Sequence, residues 1–156
     1  MTDLTDTERA AMDDVLDRAC ALHAQDKDGP VFTAAIVRDG QVLARAKNEV
    51  AETGDPTRHA EVVAIGAAAA AAGGRDLSGA TLLASCQPCE MCLAAMRWAG
   101  IDRVIFAAQK PNIEDEFFRF PGLDLSDFLS AAPAEITAIG GIGEDRVLHI
   151  YGKDRA

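Results

Sequence analysis

The sequence predicts an α/β protein: a three-layer α/β/α sandwich with a mixed five-stranded sheet and helices on both faces. Three observations predict it. Short apolar runs recur as VFTAAIV, QVLARA, ATLLAS, DRVIFAAQ and EITAI. The first two flank Asp39-Gly40, a hairpin signal, so they pair antiparallel. After this hairpin, strands alternate with helical stretches, the order of a mixed sheet covered on both sides.

Each element has a local cause. Thr5 and Glu8 form a capping box, and Met12, Val15, Leu16, Ala19 and Leu22 follow at helical spacing, so a helix runs from about Thr5 to Gln25. The hairpin comes next. Residues 48–57 form a polar loop with Gly54 and Pro56. Residues 58–72 are alanine-rich and helical, ending at Gly73-Gly74. After ATLLAS, Pro88 can open a helix at its first turn, and that helix runs to about Ala99, before Gly100. DRVIFAAQ follows as a strand. Two short helical pieces cover 112–120 and 125–131, EITAI is the last strand, and DRVLHIYG reads as helix through Val147, Leu148 and Tyr151.

With 156 residues the chain suits one domain, 1–156, whose part beyond about residue 110 would supply lid or dimer elements. A chain of this length buries roughly 68–70% of its unfolded surface. The start, MTDLTDTERA, is acidic and polar, unlike a signal peptide. No apolar run approaches the roughly 20 residues of a membrane helix. We therefore expect the cytoplasm and no membrane partner. The net charge of −10 and the lack of a basic stripe argue against nucleic acid as a partner.

Three of the four cysteines crowd into CQPCEMC, residues 86–92. In a cytosolic chain this points to a metal or to catalysis more than to a disulfide framework. Cys89 and Cys92, at i and i+3, share one helix face. Cys86 ends the strand or sits in the turn after it, and reads as a buried small hydrophobe or a thiol behind the ligands. His59 in RHAEVVAI lies in the first turn of the other central helix, with Glu61 two residues on. Cys, Cys and His fit zinc. With three protein ligands, a catalytic zinc keeps its fourth position for water and acidifies it to a pKa of about 7. Glu61 can then move protons, worth roughly 10²–10⁴-fold in rate. His23 and His149 read as surface or packing residues.

His-Ala-Glu followed by Pro-Cys-x-x-Cys resembles the signature of the zinc-dependent cytidine deaminase-like superfamily. The resemblance runs from about Gly29 to Gln109. NEVAETGDPTRHAEVVAI and SCQPCEMCLAAMRWA are similar to segments of bacterial guanine deaminases and their tRNA adenosine deaminase cousins. Relatives with the third cysteine use the last two for the metal. The resemblance implies zinc on His59, Cys89 and Cys92, and Glu61 as proton shuttle. It implies that Asn48 hydrogen-bonds the base edge and that Phe32 lines the ring pocket with Trp98 close by. The backbone N–H groups of Ala60 and Cys89 would face the base. Gln87 departs from the family's usual Glu. Downstream the match fades. Guanine deaminases place a carboxylate and an aromatic lid there, and NIEDEFFRF offers Glu114, Asp115 and Glu116, of which Asp115 or Glu114 is expected to serve, with Tyr151 further on.

The implied reaction is hydrolytic deamination of a free nucleobase or base analogue: a guanine- or isoguanine-like purine, a cytosine-like ring or an s-triazine. A nucleoside such as cytidine, or a tRNA adenosine, is the alternative within the family, and a homodimer is the implied assembly. From other classes, a zinc-stabilised binding module would have no need of Glu61, and a redox protein would hold no stoichiometric zinc.

Overall fold

The computed structural model describes residues 3–29 and 31–153. Helix α1 spans Asp6–Gln25 and is capped by Thr5. The Thr5 hydroxyl accepts the Glu8 N–H at 3.1 Å, and the Thr5 N–H donates to the Glu8 carboxylate at 2.8 Å, closing the predicted capping box. Strands β1 (Thr33–Arg38) and β2 (Gln41–Lys47) form the hairpin. Asp39 and Gly40 both take positive φ, 52° and 73°, the backbone of a tight turn whose twist matches the strands.

The polar loop that follows is not wholly irregular. It contains a four-residue helix, α2 (Val50–Thr53), entered through Asn48, whose side-chain oxygen accepts the Val50 N–H at 3.0 Å. Helix α3 (Ala60–Ala72) leads to β3 (Thr81–Cys86), α4 (Glu90–Trp98) and β4 (Arg103–Ala108). Helix α5 (Leu125–Ala131), strand β5 (Thr137–Ile139) and helix α6 (Leu148–Tyr151) follow.

The sheet order is β2-β1-β3-β4-β5. The β1 strand runs antiparallel to β2 and β3, while β3, β4 and β5 are parallel. Strand β3 is buried along its whole length, as expected where helices cover both faces of a sheet. Two apolar clusters show those faces. One holds Val15, Leu16, Leu83, Ile105 and Tyr151 beneath α1; the other holds Ala64, Leu82, Met96 and Val104 beneath α3 and α4. Among the described residues, no helix is long and apolar enough to cross a membrane.

The expected helix over 112–120 is absent. Two short 3-10 turns, Lys110–Asn112 and Asp115–Phe117, stand there instead. Ile113 between them is extended and bridges to Gly152, and Glu114 N–H donates to the Tyr151 carbonyl at 3.3 Å. This pairing with the chain's far end competes with helix and wins, because it buries Ile113 completely.

Candidate active site

The site lies where β3 ends and α4 begins, beside the start of β1 and the end of β2. His59 and Cys89 are not inside helices. Each is the N-cap of its helix, extended at φ −64°, ψ 153° and φ −70°, ψ 176°, so α4 opens at Glu90 and Pro88 precedes the cap. Glu61 and Cys92 sit two and three positions after these caps, within the first turn of each helix. Both helix N-termini therefore point at one place, where their partial positive charge favours anions and thiolates.

Three donor atoms meet there. Cys89 Sγ lies 3.5 Å from His59 Nδ1 and 3.6 Å from Cys92 Sγ, and Cys92 Sγ lies 3.6 Å from the same nitrogen. A tetrahedral zinc with ordinary bond lengths would hold its sulfur and nitrogen ligands roughly 3.6–3.8 Å apart. The triad fits the ion without rearrangement. Cys86 is buried behind it and stands outside the donor cluster.

Glu61 is 4% exposed, and its Oε2 lies 3.4 Å from Cys92 Sγ. Burial raises its carboxyl to about 7, with the Cys89 charge adding to the rise. The hydrogen bond from the Cys92 thiol holds Cys89 down to about 4; burial opposes this and His59 reinforces it. His59 is raised, chiefly by its hydrogen bond to Cys89, while burial and the Arg119 charge oppose the rise. Burial drives the Cys86 thiol well above its usual range, so it stays neutral.

The triad opens into a cavity of about 710 Å³. Phe32, Val50, Met91, Phe117 and Phe120 give it an apolar wall suited to a flat ring, while Asn48, Glu61, Gln87, Glu90, Glu116 and Arg119 supply polar groups. Phe32 is braced from behind: Tyr151 stacks on it at 5.2 Å between ring centroids, 15° from parallel, and Phe117 meets it edge-on at 5.5 Å. Tyr151 is 1% exposed and hydrogen-bonded to the Val31 carbonyl and to Ser85, so it supports the wall and does not close the cavity. Gln87 accepts the Lys110 N–H at 2.9 Å, tying the loop before Cys89 to the segment after β4.

Some expected residues stand elsewhere. Trp98 is 90% exposed at the last position of α4 and does not line the cavity. The helix turns it away, because Cys92, Leu93 and Met96 occupy the inward face. Glu114 and Asp115 do not line the cavity either; Glu116 does. Ile113 and Phe118 are drawn into the core, and the 3-10 turn between them sets which acid faces the cavity. Ala60 is fully buried behind His59, its methyl in the core beneath α3. His23 and His149 pack edge-on against each other, 5.4 Å apart. Arg119 and Glu90 were not expected at the cavity, and Glu116 was the least favoured of the three acids offered by its segment. They lie on or beside irregular backbone, where spacing carries no facing information.

Metal ligands aimed at a cavity, with a buried carboxyl beside them, are what a zinc hydrolase requires and a structural zinc site does not. Residues 6–108 match the family model of the cytidine and deoxycytidylate deaminase zinc-binding region, and the chain belongs to that family. Guanine deaminase of Bacillus subtilis is 41% identical over 90 residues, 58% of this chain and 58% of that protein. A tRNA-specific adenosine deaminase of Agrobacterium fabrum is 41% identical over 92 residues, 59% of this chain and 60% of that one. The chain thus spans about three fifths of the length of these two relatives. The solved guanine deaminase of Nitrosomonas europaea superposes with a TM-score of 0.76 at 27% identity, covering 95% of this chain and 84% of that one.

Proposed function

We propose that this protein is a zinc-dependent hydrolytic deaminase that releases ammonia from a free nucleobase or base analogue, a guanine-like purine, a cytosine-like ring or an s-triazine. The observation that carries it is the place of Glu61, buried against the metal ligand Cys92 and still part of the cavity wall. His59, Cys89 and Cys92 hold the zinc, which when bound supplies Lewis-acid activation of water. Glu61 would take a proton from the attacking water and deliver it to the ring nitrogen beside the amino-bearing carbon, then carry a second proton, from the added hydroxyl, to the departing amine, so that a carbonyl forms as ammonia leaves. Phe32 stacks against the ring. Asn48, its oxygen engaged by Val50, offers its amide N–H₂ to an acceptor on the ring edge. Glu116, and not Glu114 or Asp115, is the second carboxylate in reach of the substrate, and residues 110–120 serve as the lid.

The similarity to tRNA adenosine deaminases keeps an RNA substrate as the second reading. The net charge of −10 and the acids at the cavity favour a small ring. We take the protein to be cytoplasmic, where reducing conditions keep the thiolates free for metal. We also take it to be a homodimer, for which the exposed Trp98 offers an apolar anchor.

The test is ammonia release by the zinc-loaded protein over guanine, isoguanine, adenine, cytosine, 5-azacytosine, ammeline, their nucleosides and a tRNA anticodon stem. Turnover of free rings supports the reading, and turnover of the RNA alone overturns it. Glu61→Gln should retain one zinc per chain and lose about 10²–10⁴-fold in kcat. Full turnover by that variant would remove Glu61 as the proton shuttle and reopen a structural role for the zinc.

A further inference from the structure

Arg119 stands at the mouth of the cavity and, His59 apart, is the one basic side chain among its described lining residues. Among the described residues, no ion pair includes its guanidinium. Its place is set by backbone. The Glu90 carboxylate, one residue after the ligand Cys89, accepts the Phe120 N–H at 2.9 Å and the Arg119 N–H at 3.4 Å. One guanidinium nitrogen donates to the Glu116 carbonyl at 3.3 Å. Among the described residues, no other hydrogen bond takes the remaining N–H groups of the fork, which can serve another acceptor.

A guanidinium has five donors and no acceptor, and it is charged at every working pH. Against a ring edge it rewards an oxygen and penalises an amino group, whose N–H would face its own. We propose that Arg119 selects the substrate by the ring substituent meta to the reacting carbon, across one ring nitrogen: it accepts an oxo-bearing amino-heterocycle and rejects the matching ring that carries an amino group there. Glu90 is the positioning residue that holds Arg119 in place. The choice rests on the deaminase reading above, because it is that cavity that must hold a ring.

The test measures binding separately from turnover. Glu61→Gln protein, loaded with zinc, is titrated calorimetrically with matched pairs: guanine and 2,6-diaminopurine, cytosine and 2,4-diaminopyrimidine, ammeline and melamine. The oxo partner of at least one pair should bind about 10- to 100-fold tighter, the scale of a hydrogen bond to a charged donor. Adding Arg119→Gln should collapse that ratio toward one, with zinc content and thermal midpoint unchanged. Arg119→Lys should restore part of it, through charge without the fork. In the otherwise native enzyme, Glu90→Gln should raise KM for the oxo substrate with little change in kcat. A ratio that survives Arg119→Gln overturns the assignment and leaves the deaminase reading intact. Equal binding of both partners in every pair also overturns it. Selective binding without turnover by the Glu61 enzyme would leave Arg119 standing and sink the deaminase reading.

Discussion

The replacement of Glu8 by glutamine should cost the fold about 3 kcal/mol at neutral pH, and the cost should depend on pH in a defined way. Glu8 is 3% exposed on α1. Its Oε1 accepts Arg103 Nε at 2.7 Å and the Thr81 hydroxyl at 2.8 Å. Its Oε2 accepts Arg103 Nη2 at 3.0 Å and the Thr5 N–H at 2.8 Å. One carboxylate thus joins the N-terminal helix to β3 and β4. Burial alone would raise the Glu8 carboxyl, but the hydrogen bonds from Arg103, Thr5 and Thr81 outweigh it and hold the group at about 2, down from 4.5. At about 1.4 kcal/mol for each tenfold change in proton affinity, that difference is about 3 kcal/mol. A glutamine would turn a donor amide toward Arg103 and leave a largely buried guanidinium without its charge partner.

The sign follows from linkage. A carboxyl depressed on folding contributes fully above pH 4.5 and loses its contribution as pH falls toward 2. The assay is unfolding followed by circular dichroism, with wild type and Glu8→Gln compared at pH 7, 4 and 3. At pH 7 the variant should melt about 6–12 °C lower. At pH 3 more than half of the pH-dependent difference should be gone. Other groups titrate in both proteins and cancel. A difference that stays constant from pH 7 to pH 3, or one below about 1 kcal/mol at pH 7, would refute the reasoning, because the network would then not be holding Glu8 ionised.

Two further outcomes follow from the site. Cys92→Ser should lose zinc on dialysis, whereas Cys86→Ser should retain one zinc per chain by elemental analysis, since Cys86 lies outside the donor cluster; zinc loss from both variants would make Cys86 a fourth ligand. Tyr151→Phe removes the hydroxyl that joins Ser85 to the Val31 carbonyl, and leaving these buried groups short of a partner should cost about 1–3 kcal/mol in chemical denaturation. A variant as stable as wild type would mean that stacking alone anchors the C-terminal helix.

Where local rules dominate, the sequence was legible. Thr5 and Glu8 place the start of α1, Asp39-Gly40 places the hairpin, and the spacing of Cys89 and Cys92 survives the finding that one is a cap and the other helical. Legibility fails where long-range contacts decide. Residues 110–120 have helical composition, but Ile113 pairs with Gly152, nearly forty positions away. Once that stretch is irregular, no periodicity says which of Glu114, Asp115 and Glu116 faces the cavity. Trp98 misleads for another reason: a lone tryptophan in a motif suggests a buried role, but the last turn of α4 carries it past the edge of the core. Arg119 and Glu90 gave no signal because their roles depend on a fold of the backbone between them.

The two helix caps show what the site costs. Ser, Thr, Asp and Asn are the residues that satisfy a helix's first N–H groups, and Thr5 does so for α1. At α3 and α4 the cap positions hold His59 and Cys89, and neither side chain makes a capping hydrogen bond. Each such loss is worth about 1 kcal/mol. It falls on the two helices whose ends must stay fixed for three donor atoms to remain within bonding distance of one ion. Metal binding offsets that cost, since a ligated ion favours the folded state in proportion to its affinity. With ligands in place of capping side chains, the partial positive charge of both helix ends is kept at the donor cluster, where it favours thiolate. Stability forgone at the helix ends is therefore recovered as metal affinity and as a polarised site, which ties the chemistry to caps that a stability-optimised sequence would have filled with serine or aspartate.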